Sequence, residues 1–243
     1  MKEIQNIKIT TSKVGVGLLL SLMFIGTELT AQIVEVGIIR DVSESSNEAK
    51  AFDEDAIFRK MITYLDLKDS DQGVNFRTAT CGESRIAEIR LAPLQKADDS
   101  WFASSSERDK ALRQFLAKAK VDLDYLADQP CDEQQTNLYR TIVAITKDFH
   151  SSASSKTLFI FSDGIEVSSA FNALRYKNNP AQVITDFDAI VEALERDALL
   201  PDLAGFSVIL ITPGKTDMEL WMSRFWERLI KAKGGAFQAR AAF

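Results

Sequence analysis

The chain is poor in the residues that build reactive centres. Its 243 residues include one histidine, His150, and two cysteines, Cys81 and Cys131. Neither cysteine sits in a Cys-x-x-Cys or a Cys/His cluster, which excludes a zinc site built from such ligands. Glycine occurs 11 times and proline 5 times, and neither gathers into a linker, a low-complexity tract or a phosphate-cradling loop. No internal repeat is visible. Positive charge is also short: 29 Lys and Arg stand against 35 Asp and Glu, giving a formal net charge of −6. Without a basic stripe and interleaved aromatics there is nothing to hold a phosphate backbone, so a nucleic-acid partner is excluded.

What is present suits one globular domain with a full core, since 46% of residues are hydrophobic and 26% charged. The first 31 residues stand apart. Lys2, Lys8 and Lys13 precede an apolar stretch from Val14 to Ile25, which gives way to small and polar residues ending at Thr30-Ala31. This pattern reads as a secretory signal peptide over residues 1–31, with an uncleaved anchor as the alternative. The apolar run, about a dozen residues, is shorter than the roughly 20 a spanning helix needs. The expectation is export to the periplasm or beyond the cell, with the membrane touched only through a retained leader. Residues 32–243 form the domain proper.

Past the leader, strands and helices alternate. The run Ile33-Val34-Glu35-Val36-Gly37-Ile38-Ile39 predicts a strand over 33–40, β-branched as expected where both faces are covered. Helical spacing of Phe58, Met61, Ile62 and Leu65 predicts a helix over 49–66. Short strands follow at 73–80 and 85–92, joined tightly through Cys81-Gly82-Glu83-Ser84 as a hairpin. A helix near 105–126 is entered from Ser104-Ser105-Ser106-Glu107, where a hydroxyl can cap it. Another helix begins at Thr136 and carries Leu138, Ile142, Ile145 and Phe149. Strand 157–162, a helix marked by Val183, Phe187, Ile190, Val191 and Leu194, strand 206–212, helix 216–232 and strand 236–242 complete the series. The alternation predicts an α/β fold: a mostly parallel, doubly wound sheet of six strands with one antiparallel edge strand and helices on both faces. In such sheets the ligand site lies at the carboxyl ends of the strands where strand order reverses.

The residues that fall there carry oxygen. Asp41-Val42-Ser43-Glu44-Ser45 follows the first strand directly, Thr136 opens its helix, and Asp163 closes the run Leu158-Phe159-Ile160-Phe161. Mg²⁺, Mn²⁺ and Ca²⁺ prefer hard oxygen donors. Ser43, Ser45 and Thr136 offer neutral hydroxyls, and Asp41 and Asp163 supply two negative charges. Singly each piece has an ordinary explanation: a Ser/Asp turn or a Thr caps a helix, and Ser-Asp-Gly makes a turn. Together, their order and spacing point to one cation site.

With these motifs the chain resembles the von Willebrand factor type A (integrin I-like) domain family, whose metal-ion-dependent adhesion site reads Asp-x-Ser-x-Ser, then a distant Thr, then an Asp after a hydrophobic strand. The resemblance spans residues 32–243. It implies a Rossmann-like sheet and a cation, Mg²⁺ or alternatively Mn²⁺ or Ca²⁺, whose last position is filled by a partner protein's Asp or Glu. It implies Ser43, Ser45 and Thr136 as direct or near-direct ligands, with Asp41 and Asp163 acting through water. Two positions depart from the family pattern. Glu44 stands where many members have Gly, and Gln134-Gln135 replaces the small residue before the Thr. Alternation along the turn directs Glu44 outward into solvent.

Cys81 and Cys131 both fall at the carboxyl-end face. In an exported chain they are expected to pair as a disulfide worth about 4 kcal/mol by chain entropy; the alternative is two separate thiols. The segment Gly164 to Asn179 carries Phe171, Arg175, Tyr176 and Lys177, either as interface anchors or as a loop with its aromatics folded inward. Trp221, Phe225, Trp226 and Leu229 have core spacing. The function expected is an exported protein-binding module for adhesion or for scaffolding an envelope complex, and not an enzyme. His150 is predicted at the face opposite the cation, and no Lys or Arg accompanies the motif turns. The alternatives are a metal-dependent phosphoester hydrolase on the same residues and a structural domain with an empty site.

Overall fold

The computed structural model describes residues 33–45, 52–67, 72–82, 88–97, 105–212 and 214–242. The leader, residues 1–31, and the expected cap Ser104 lie outside them. Six strands form one sheet: β1 (Ile33–Asp41), β2 (Gly73–Cys81), β3 (Arg90–Leu94), β4 (Ser155–Phe161), β5 (Phe206–Ile211) and β6 (Ala236–Arg240). Their order is β3-β2-β1-β4-β5-β6, with every pairing parallel except β2 with β3. The chain therefore runs outward from β1 to one edge, returns to β4, and runs outward again to the other edge. The expected α/β architecture is present, with the reversal of strand order between β1 and β4.

Helices cover both faces, and the period-2 alternation of the strands sorts the core accordingly. Val34, Val36, Ile38, Phe76, Phe159 and Ile209 pack with residues of α1 (Glu54–Leu65) and α2 (Ser105–Asp128). Ile39, Ala79, Leu158, Ile160, Val208 and Leu210 pack on the other side with α3 (Leu138–Lys147), α5 (Phe187–Asp197) and α6 (Asp217–Ala232). A short α4 (Gln182–Thr185) precedes α5. Capping follows the local sequence: Asp53 accepts from Ala56 N–H at 2.8 Å at the start of α1, and the Thr216 hydroxyl accepts from Glu219 N–H at 3.2 Å at the start of α6. Among the described residues no helix is long and apolar enough to cross a membrane.

Several expectations about the elements are corrected. The first helix starts at Glu54 rather than near 49. The antiparallel strand is 90–94, not 85–92, because Ala92 and Leu94 are the residues that reach the core. Its link to β2 is consequently long, and residues 83–87 of that link lie outside the described ones. Helix α3 begins at Leu138. Thr136 is held in extended pairing instead, exchanging two 3.0 Å backbone hydrogen bonds with Val167.

The expected Cys81–Cys131 disulfide is not formed, and both cysteines are free thiols. The alternation that sorts the core explains this. Cys81 ends β2 on the face of α3, buried with Ile39 and Leu138, and burial pushes its thiol well above the ordinary range. Cys131 accepts a hydrogen bond from Arg40 at 3.4 Å. Arg40 reaches the other face, where it also donates to the carbonyls of Leu126 and Gln129 at the end of α2. Cys131 is thus held by Arg40 and not by Cys81.

A buried ion pair fills the amino-terminal half of the sheet. Glu35, fully buried, accepts from Arg77, from Asn75 at 2.8 Å and from His150 N–H at 2.9 Å. Arg77 also donates to the Asp148 carbonyl at 2.6 Å. Removing one member strands the other without its counter-charge. Arg77→Ala is expected to lower stability by about 3–5 kcal/mol, read from urea unfolding, with a larger loss than in the Arg77→Ala/Glu35→Gln double variant. Next along β1, Gly37 admits α3: a Cβ there would meet Leu158 Cδ1 at 2.8 Å and Ile145 Cδ1 at 3.1 Å. Gly37→Val is expected to cost about 1–3 kcal/mol by overpacking, and an unchanged urea midpoint would contradict that packing.

Candidate metal centre

The β1–β4 register pairs Arg40 with Phe161, so Asp41 and Ser162-Asp163 leave the sheet side by side. A circuit of short contacts links them. The Ser162 hydroxyl donates to Asp41 Oδ2 at 2.6 Å, and Ser43 N–H donates to Asp41 Oδ1 at 2.9 Å. The Ser43 and Ser45 hydroxyls lie 3.2 Å apart. The Ser45 hydroxyl in turn donates to Asp163, whose Oδ1 also accepts from Ile165 N–H at 2.8 Å. Four of the five sequence-predicted residues are therefore joined through their own polar groups.

Thr136 is brought in by the backbone. Glu44 N–H bonds to the Glu133 carbonyl at 3.0 Å, and Glu133 N–H to the Val42 carbonyl at 3.2 Å. Three residues on, Thr136 pairs with Val167, four residues past Asp163. The strip 133–136 is thus fastened to the Asp41–Ser45 turn at one end and to the Asp163 loop at the other. Thr136 is buried, as are Asp41, Ser43 and Asp163. Glu44 and Ser45 are exposed, in keeping with a solvated Glu44.

Burial dominates the electrostatics. It raises the Asp41 carboxyl to about 6, with the Asp163 charge adding and hydrogen bonds from Ser162 and Ser43 opposing. Burial also raises Asp163, against hydrogen bonds from Ile165 and Ser45, while Glu219 adds a like charge. Among the described residues no three His, Cys, Asp or Glu side chains gather as in a thiolate- or carboxylate-rich metal site. The donor set is two acids with three hydroxyls, chemistry that fits a hard divalent cation and no softer one.

Four residues that matter here were not singled out from sequence. Ser162 closes the circuit, yet Ser-Asp-Gly reads as an ordinary turn. Glu219, in the first turn of α6, accepts from Lys215 N–H at 3.0 Å. Trp226, expected only as core, also donates from its indole Nε1 to the Gly164 carbonyl at 2.8 Å and so pins the turn after Asp163. Glu166 is buried in that same loop, and burial raises its carboxyl to about 8 against the Tyr139 amide. The loop's aromatics fold inward: Phe171 is buried and stacks on Phe225 with ring centres 5.9 Å apart. Phe171 therefore serves the core, leaving Arg175 and Lys177 exposed.

No protein-family model matches the chain, and no curated protein matches it. Among solved structures it is similar to the human COPII-coat protein Sec24c, at 11% identity with a TM-score of 0.45. That alignment covers 88% of this chain and 30% of the other. A likeness so distant says nothing of function, and the architecture rests on strand order and register.

The raised acids set a pH dependence. A carboxyl whose folded value lies above its unfolded one keeps its proton longer in the folded state, so stability is fullest below the unfolded value and is lost as pH rises. Without cation, urea stability is expected to fall as pH rises from about 4 through 6, the window set by Asp41, by on the order of 3 kcal/mol. Asp41→Asn should flatten that part of the profile. A wild-type profile in chelator that rises across this window would contradict the assigned burial of Asp41.

Proposed function

We propose that this chain is a cation-dependent protein-binding module of the von Willebrand factor type A kind. Asp41, Ser43, Ser45, Thr136 and Asp163 hold Mg²⁺, Mn²⁺ or Ca²⁺, and an Asp or Glu of a protein ligand completes the coordination. The observation that carries this reading is the closed circuit from Asp41 through Ser43 and Ser45 to Asp163 and Ser162 at the point where strand order reverses. Bound there, the cation supplies a positive centre short of negative ligands, because three of the five side-chain donors are neutral. The residues do the rest: the hydroxyls offer neutral oxygens, and backbone amides of Ser43 and Ile165 orient the two acids.

Binding rather than hydrolysis is supported by the neighbours of the two acids, which are hydroxyls, amides and further acids. His150, the one histidine of the chain, lies at the amino end of the sheet, where its backbone N–H donates to Glu35. Export rests on the leader sequence alone, and adhesion or envelope scaffolding follows from it.

Titration calorimetry of the whole chain tests the reading. Wild type is expected to bind Mn²⁺ or Mg²⁺ at millimolar concentration or below. Thr136→Ala should weaken this at least about tenfold without moving the urea midpoint in chelator by more than about 1 kcal/mol. Added acetate should displace water from bound Mn²⁺, read by proton relaxation, because the open position takes a carboxylate. No binding at millimolar cation, or a phosphatase activity lost in Asp41→Ala, would overturn it.

A further inference from the structure

Loop carboxylates are ordinarily solvated, yet Glu166, three residues past Asp163, is only 1% exposed. Its Oε2 accepts from Tyr139 N–H at 3.0 Å, and it also accepts from the Leu138 amide. These are the opening amides of α3, donors that a helix cannot satisfy from within. The residue placed to cap them locally is Asn137, but its side chain makes no cap and donates instead to the Gly82 carbonyl at 3.1 Å. The cap comes from the Asp163 loop, 27 residues away in sequence.

The loop is fastened at two further points on either side of that carboxylate. The Glu166 carbonyl accepts from Ala173 N–H at 2.9 Å. Val167 pairs with Thr136 on one side and with Asn172 on the other. One short strap thus carries Asp163 at its start, caps α3 with Glu166 and grips Thr136 with Val167. Among the five candidate ligands, Thr136 is the one joined to the rest by backbone alone, so its position relative to Asp163 is set by this strap.

We infer that Glu166 is a positioning residue of the cation site: its buried carboxyl group, capping α3 from the Asp163 loop, fixes Thr136 against Asp163 so that the two halves of the site are assembled before a cation arrives. This rests on the cation-binding reading above. Glu166 touches no cation itself; it acts through the Leu138 and Tyr139 amides.

The test is Mn²⁺ affinity by titration calorimetry on the full chain, with urea unfolding in chelator as the control for folding. Glu166→Ala removes the cap and is expected to weaken Mn²⁺ binding about tenfold or more, while Glu166→Gln, which keeps an acceptor oxygen at the same reach, stays within about threefold of wild type. A general loss of structure would not be rescued by the amide. Should Glu166→Ala not fold, Glu166→Asp, one methylene short of the amides, carries the same expectation of weaker binding. Wild-type affinity in the Ala or Asp variant, or equal losses in Ala and Gln, would overturn the positioning role and leave the cation site standing. Failure of wild type itself to bind Mn²⁺ would overturn both.

Discussion

The buried hydrogen bond from Ser162 to Asp41, 2.6 Å long, ties the ends of the two central strands and determines what the carboxyl edge of the sheet can be. Parallel pairing in the register Arg40 with Phe161 brings a carboxylate from each strand end into one dry corner. Burial makes charge there costly, which is why both Asp41 and Asp163 hold their protons longer than free carboxyls. Hydroxyls and backbone amides satisfy the oxygens without cancelling their charge. On the proposed reading, this set of oxygens is the one that a divalent cation would complete.

The opposite end of the sheet meets the same difficulty differently. Glu35 is as buried as Asp41, but Arg77, Asn75 and the His150 amide surround it, and its counter-charge is part of the chain. The contrast between the two acids, both on β1 and on the same face, separates structure from candidate function. An acid whose compensating charge is built in belongs to the fold. Asp41 instead sits among hydroxyls, backbone amides and a second acid, the setting the proposed cation would occupy.

Much of this was legible in the sequence. Alternating apolar runs and helical spacings gave the sheet, its antiparallel edge and the point of reversal, because burial on two faces leaves long β-branched strands such as 33–39. The Asp-x-Ser-x-Ser turn and Asp163 could be placed together since strand ends fix where the following residues begin. The disulfide could not be settled, because pairing two cysteines requires knowing which face of the sheet each occupies, and Cys131 lies in an irregular segment without a period. Glu166 is not legible for a related reason: Gly164-Ile165-Glu166 carries no pattern to distinguish a solvated loop acid from one turned inward onto a distant helix. A threonine before an apolar period reads as the start of α3, but at Thr136 pairing with Val167 outcompetes that role.

The acids around the candidate centre bear on how a partner would be recognised. Glu44 and Asp132 are exposed beside the Ser43 turn, and Glu219 lies close enough to Asp163 to raise it. Without a cation these acids repel a carboxylate approaching from another protein. With one bound, the attraction is confined to a single point, and the acids around it still repel any ligand whose charge is not aimed there. On the proposed reading, Glu44 in place of a glycine therefore narrows the set of partners rather than abolishing binding: a single acid on an otherwise neutral or basic surface is accepted, and an acidic patch is turned away.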